Sequence, residues 1–250
     1  MNTKIGNFKI IVKKDYGSLS AAAADIIAGQ IAAKPDSVIG FATGSTPVGT
    51  YARLIEMHKS GGVDFSRVTA FNLDEYYPIS PKSEQSYAYF MQKNLFAHIN
   101  IKPDSTHIQN GEAADPAAEC AAYETKIADC GGVDLQILGV GHNGHIGFNE
   151  PADHFAAKTF LTALDDSTIA ANARFFANAE EVPKHALTMG VGTIFHARRI
   201  IMLISGADKA DTAFKVLCGP ITPQVPGSVL QLHPDFTIII DEMAAAKLPL

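Results

Sequence analysis

Two imidazoles, an amide and a carboxylate share one glycine-rich segment, Gly139-Val-Gly-His-Asn-Gly-His-Ile-Gly-Phe-Asn-Glu-Pro151. A carboxylate beside an imidazole orients the ring and raises its pKa toward working pH, so His145 with Glu150 suits proton transfer. Asn143 can hydrogen-bond to this pair but carries no charge. His142, His145 and Glu150 are also zinc ligands in kind. The chain has no HExxH helix and no cysteine placed to join them, and proton transfer is the better reading.

Two further segments have chemical content. Asn72-Leu-Asp-Glu-Tyr76 sets Asp74 and Glu75 side by side, a pair that could act as a general base or bind a metal. Thr43-Gly44-Ser45-Thr46 precedes Pro47, a favoured residue in the first turn of a helix. Amides and hydroxyls at a helix N-terminus make a natural phosphate site. The segment is neither a Walker loop nor a dinucleotide fingerprint. Arg174 and Lys209 are isolated cations that could pair with phosphate. Each feature has a plain structural alternative: a packed histidine, a solvated turn, a well-capped strand-to-helix turn, a surface cation. Position favours chemistry, because all three loops follow short apolar runs.

Those runs organise the chain. Phe8–Val12, Val38–Ala42, Val68–Leu73, Val133–Leu138, Arg199–Ile204 and Phe236–Ile240 read as strands. Helices are expected from Ser18 or Ser20 to Ala33, Pro47 to about Lys59, Ser86 to Phe96, Pro116 to Cys130, Val191 to His196 and Asp208 to Cys218. Strands alternating with helices imply an α/β fold with an open, mostly parallel sheet covered on both faces. Ligands of such sheets sit beyond the carboxyl ends of the strands, where the three loops lie. No repeat, low-complexity tract or long linker divides the chain, and one domain is expected.

Composition narrows the function classes. The 250 residues are 47% hydrophobic and 18% charged, with a net charge of −6. That balance fits one large core and argues against disorder. It gives no nucleic-acid footprint and no polybasic membrane patch. Cys120, Cys130 and Cys218 form no CxxC pair and read as buried thiols of a reduced, cytoplasmic protein. The first residues lack the apolar core of a signal peptide, and the Ala21–Ala33 stretch is too short and polar to span a membrane.

Taken together, Gly40–Tyr51, Phe71–Tyr76, Gly139–Pro151, Ala186–Thr193 and Leu230–Pro234 resemble the glucosamine-6-phosphate deaminase family. The likeness runs from about Val38 to Asp241. Its most specific strings are Phe-Asn-Leu-Asp-Glu-Tyr and Asn-Gly-His-Ile-Gly-Phe-Asn-Glu-Pro. The resemblance implies a modified Rossmann fold and conversion of glucosamine 6-phosphate to fructose 6-phosphate and ammonia. It implies that Asp74 moves the proton between C2 and C1, and that His145 opens the sugar ring with Glu150 as its partner. It matches Thr43, Gly44, Ser45, Thr46, Arg174 and Lys209 to phosphate-binding positions, and residues 165–183 to a lid. The chemistry requires neither a metal nor an organic cofactor, and the only partner implied is a sugar-phosphate substrate.

Two departures from the family pattern carry consequences. Asn143 stands where some members have Asp, which removes a negative charge beside His145 and weakens its hold on a proton. Phe160 and Thr162 stand where the hexameric branch, activated by N-acetylglucosamine 6-phosphate, has basic residues. No such activation is expected, and the assembly state, a homo-oligomer included, stays open. The rival readings are a galactosamine 6-phosphate enzyme, a 6-phosphogluconolactonase and a sugar-phosphate sensor. The sensor reading predicts eroded catalytic residues, whereas Asp74, His145 and Glu150 are all present.

Overall fold

The structure, a computed structural model, describes residues 2–5, 8–165, 168–170, 173, 176 and 181–250. Eight strands form the main sheet: β1 (Asn2–Ile5), β2 (Phe8–Lys13), β3 (Val38–Phe41), β4 (Thr69–Asn72), β6 (Thr106–His107), β7 (Leu135–Leu138), β10 (Arg199–Ile204) and β11 (Phe236–Asp241). Their order is β1-β2-β11-β10-β7-β3-β4-β6. Among the described residues of this sheet only the β1–β2 pair is antiparallel. Every residue of β3, β7 and β11 is buried, as is all of β10 after Arg199. Such unbroken apolar strands require cover on both faces, which the helices supply. Each fully buried Ile, Leu or Phe contributes roughly 1.5–3 kcal/mol.

The α-helices whose bounds are described are α1 (Tyr16–Ala33), α2 (Val48–Lys59), α3 (Tyr87–Asn94), α4 (Pro116–Asp129), α5 (Val191–Phe195) and α6 (Ala210–Cys218). None among the described residues is long and apolar enough to cross a membrane. α1 starts earlier than its serines suggest. Asp15 is the cap, accepting from the Ser18 N–H at 2.8 Å, while the Ser18 hydroxyl accepts from the Asp15 N–H. Reciprocal bonds of this kind satisfy two donors that the first turn would otherwise leave orphaned. Cys120 is buried as expected; Cys130 is exposed, because it caps α4 at the surface, and Cys218 is half-buried.

A second sheet departs from the sequence reading. Asp74–Tyr77 is strand β5, not a loop, and it pairs antiparallel with β9 (His185–Thr188), which pairs with β8 (Phe160–Ala163). After β4, therefore, the chain leaves the main sheet at Leu73 and enters a three-stranded ribbon over its carboxyl edge. A separate small core of Tyr76, Phe148, Leu164 and Ala186 packs beneath that ribbon.

In the main sheet the strand order reverses between β3 and β7. From β3 the chain builds toward β4 and β6, and from β7 toward β10 and β11. The loops leaving β3 and β7 diverge there and leave a crevice at the carboxyl end, the expected place for a ligand.

Candidate active site

A cavity of about 780 Å³ opens at this reversal. Residues 42–46 from the β3 loop form one side and residues 139–143, His145, Gly147 and Phe148 from the β7 loop another, with Asp74 and Lys209 also on its wall. The three segments singled out in the sequence thus converge on one space. Of the residues matched to the family's site, Arg174 lies outside the described residues, as does about half of the 165–183 segment matched to a lid.

Asp74 opens β5 and is buried, at 5% exposure. Its position is fixed by the backbone on one side: the Leu73 carbonyl accepts from the Met189 N–H at 2.8 Å and from Gln109 Nε2 at 3.1 Å. The Asp74 carboxylate itself accepts no hydrogen bond among the described residues. Burial without donors pushes this carboxyl up to about 8, and the neighbouring Glu75 adds to the effect. A carboxylate held this way binds a proton strongly enough to remove one from carbon.

Glu75 does a different job from its neighbour. Its Oε1 accepts from the Tyr76 and Tyr87 N–H groups and its Oε2 from the Ala88 N–H, at 2.8–2.9 Å. It therefore anchors the N-terminus of α3 to β5. Burial still carries its carboxyl up to about 7 against the pull of those donors. The anchor brings Tyr87 against Tyr76, with ring centroids 4.8 Å apart, and Phe148 stacks on Tyr87 at 6.0 Å. These rings wall the cavity next to Asp74.

The β7 loop holds the imidazole pair. Glu150 Oε2 lies 3.2 Å from His145 Nδ1 and accepts from Asn143 Nδ2 at 2.7 Å. Asn143 Oδ1 accepts from the His145 backbone N–H at 3.1 Å. Glu150 Oε1 accepts from the Thr168 hydroxyl at 2.5 Å. Burial alone would raise the Glu150 carboxyl; the hydrogen bond and charge of His145, then Thr168 and Asn143, outweigh it and hold it down at about 2. Glu150 is thus a fixed anion behind the ring, and His145 faces the cavity with 20% of its side chain exposed.

Two glycines make this packing possible. A Cβ on Gly141 would stand 2.2–2.5 Å from the His145 ring atoms. One on Gly147, whose φ is +56°, would meet Thr188 Oγ1 at 2.9 Å and Asp74 Oδ2 at 3.3 Å. The glycines let the loop lie flat against both the imidazole and the base.

His142 does not join His145. It points to the rim, where Nε2 lies 2.8 Å from Asp208 Oδ2, and both side chains are mostly exposed. The zinc set considered from the sequence is not brought together. Lys209 follows that aspartate, and its Nζ donates to the Val140 carbonyl at 3.0 Å. On the opposite side, Gly44, Ser45 and Thr46 line the cavity just before α2, and their N–H groups have no acceptor among the described residues. These donors, a helix N-terminus and an ammonium suit a phosphate.

Two positions that hold the site together escaped the sequence reading, and a third, Glu75, was singled out there for another role. Thr168 falls in a polar stretch where one hydroxyl among many gives no signal. Glu75 reads as half of a carboxylate pair. Tyr16 contacts the β3 loop across 29 residues of sequence, with no local pattern to mark it.

Comparison with known proteins agrees with this geometry. Residues 15–238 match the model of the family described as glucosamine-6-phosphate isomerases/6-phosphogluconolactonase. The glucosamine-6-phosphate deaminase of Clostridioides difficile is 52% identical over 240 residues, 96% of each chain. That of Lachnoclostridium phytofermentans is 53% identical over 92% of this chain and 98% of its own. A solved monomeric glucosamine-6-phosphate deaminase superposes with a TM-score of 0.93 at 45% identity, over 95% of this chain and 99% of its own. The 6-phosphogluconolactonase of Trypanosoma brucei superposes at 0.75 with 21% identity, over 96% and 98%, and shares the fold. With the cavity, its buried carboxylate and its imidazole pair in place, the chain belongs to the glucosamine-6-phosphate isomerase/6-phosphogluconolactonase family.

Proposed function

We propose that this protein converts glucosamine 6-phosphate to fructose 6-phosphate and ammonia. The observation that carries the reading is the undonated, buried Asp74 carboxylate facing the same cavity as the His145–Glu150 pair. In this reading the Thr43–Thr46 loop and Lys209, with Arg174, hold the phosphate. That grip positions C1 and C2, and its binding energy is spent on orientation. His145 takes the proton from the C1 hydroxyl and returns one to the ring oxygen, and the C1–O5 bond breaks. Glu150 steadies the imidazolium formed between those transfers. Asp74 then removes the C2 proton and delivers it to C1 through an enolamine. Water adds to the resulting C2 imine, the C–N bond breaks, and ammonia leaves.

The relatives named above support the gluco substrate, and one of them is monomeric. Phe160 and Thr162 lie in β8, and the Thr162 hydroxyl is turned to the Ala163 carbonyl. Neither side chain offers charge to a phosphate, so rate curves are expected to keep the same shape with and without N-acetylglucosamine 6-phosphate. A sigmoidal curve that this ligand makes hyperbolic would contradict the expectation.

The experiment is a substrate panel: glucosamine 6-phosphate, galactosamine 6-phosphate and 6-phosphogluconolactone, scored for ammonia, ketose phosphate and acid. Ammonia with fructose 6-phosphate from the gluco compound is expected. Ammonia from the galacto epimer alone keeps the mechanism and changes the substrate. Acid from the lactone with no ammonia from either amine overturns the proposal.

A further inference from the structure

The β3 loop is not held by a side-chain cap of its own. Pro47 precedes α2 and makes no capping hydrogen bond. The loop is instead clamped from outside by Tyr16, the first residue of α1. The Tyr16 hydroxyl lies 3.1 Å from the Ser45 carbonyl and 3.0 Å from the Thr46 carbonyl. It accepts from the Gly49 N–H at 2.8 Å. A phenol has one proton, so the two carbonyls share it while the oxygen takes the Gly49 donor.

The pattern has a direction. The Ser45 carbonyl is held by Tyr16, and the N–H of the same trans peptide, that of Thr46, points the opposite way and has no acceptor among the described residues; Thr46 lines the cavity, and its own carbonyl precedes Pro47, which has no N–H. Gly49 N–H, one of the orphan donors in the first turn of α2, is used by the phenol. The unused Thr46 donor is thereby held on the side of the loop away from Tyr16. Two carbonyl oxygens are also kept from turning toward an incoming anion, where they would repel it.

We propose that Tyr16 is a positioning residue for phosphate binding: its hydroxyl holds the Ser45–Thr46 peptide by the Ser45 carbonyl, so that the Thr46 N–H on the opposite edge of that peptide faces the phosphate of the substrate. It touches neither the substrate nor the reacting atoms. The inference rests on the phosphate role of the Thr43–Thr46 loop proposed above.

The test compares Tyr16→Phe, Ser45→Ala and the unaltered enzyme, with glucosamine 6-phosphate as substrate and inorganic phosphate as competitor. Tyr16 is 38% exposed, and phenylalanine keeps the ring, so folding is expected to survive. Melting temperature with and without inorganic phosphate checks this and gives a second readout of binding. In Tyr16→Phe, KM and the phosphate inhibition constant are expected to rise together by about tenfold, as for the loss of one organising hydroxyl, with kcat changed far less. Phosphate should also raise the melting temperature less than in the unaltered enzyme. A variant that melts lower but keeps KM and the inhibition constant would overturn the inference, since a merely structural tyrosine behaves that way. If Ser45→Ala weakens phosphate binding and Tyr16→Phe does not, the loop reading stands and the Tyr16 role falls. If phosphate neither inhibits nor stabilises the unaltered enzyme and both variants keep its KM, the loop reading falls and takes this inference with it.

Discussion

Replacing Asn143 by Asp exchanges an amide for a carboxylate of the same shape and inverts the electrostatics behind His145. In the structure Asn143 Nδ2 donates at 2.7 Å to the same Glu150 oxygen that lies against His145 Nδ1. Aspartate there removes a hydrogen bond to a charged group, about 1.5–3 kcal/mol, and sets two carboxylates in contact. Two like charges about 3 Å apart repel by roughly 5 kcal/mol at an effective dielectric of about 20. The cheapest relief is a proton, so the cluster that the new aspartate forms with His145 and Glu150 holds one more proton at higher pH than the native cluster does. The three groups titrate as a unit, and the shift belongs to the cluster.

Two consequences follow, with opposite signs from the native case. Glu150 is held near 2 against an ordinary 4.5, and this contributes about 3 kcal/mol. A depressed carboxylate gives that stability above about pH 4.5 and loses it as pH falls toward 2. In Asn143→Asp one carboxylate is raised instead, so the folded state binds the extra proton and loses stability as pH rises. The deficit in melting temperature against the native enzyme is therefore expected to be largest near pH 8 and to narrow at pH 5. Activity is retained, because Glu150 and His145 remain. The acid limb of the pH–rate profile moves up by about one pH unit, the effect of roughly 1.4 kcal/mol on the proton of the cluster. Thermal melts at pH 5 and 8 with initial rates across that range test this. An unmoved limb and an equal deficit at both pH values would refute the electrostatic account of the loop.

Other variants probe the remaining contacts. Asp74→Asn should melt higher than the native enzyme, and increasingly so from pH 5 to 8.5. A carboxyl raised from 3.8 to about 8 costs on the order of 5 kcal/mol once ionised, and a gain independent of pH would contradict that origin. Gly141→Ala drives a methyl into the His145 ring, and kcat should fall at least about a hundredfold in a protein that still folds, as for a misplaced general acid–base group. Thr168→Val leaves Glu150 Oε1 without its donor; kcat should drop about tenfold, and Thr168→Ser, which keeps the hydroxyl, should restore it. Equal rates in Val and Ser variants would show that the hydroxyl does not matter.

Much of this architecture was legible in the residues, for identifiable reasons. The main strands are buried on both faces, so they read as unbroken apolar runs such as Ile200–Ile204 and Phe236–Ile240. The site segments follow three of those runs at their carboxyl ends; Gly44 with Pro47, and Gly139 with Gly141, mark two of the turns, whereas the one at Leu73 has neither residue type. The second sheet was not legible. β8 and β9 are four residues each, Phe-Leu-Thr-Ala and His-Ala-Leu-Thr, too short for a periodic signal, and the pairing of β9 with Asp74–Tyr77 spans about a hundred residues of chain. Asp74 stands out by its type and place, but its reading as a loop residue missed the strand that carries it out of water and raises its carboxyl. Tyr16 and Thr168 act through single hydroxyls on segments far away in sequence, which composition and spacing do not record.

The most direct measurement is ammonia release from glucosamine 6-phosphate by Asp74→Asn, beside the native enzyme at equal concentration. The amide keeps the size of the carboxylate but cannot accept the C2 proton. The account predicts a fall of roughly a thousandfold or more in kcat, with a raised melting temperature proving that the variant is folded. A folded Asp74→Asn enzyme that releases ammonia within about tenfold of the native rate would contradict the assignment of Asp74 as the base.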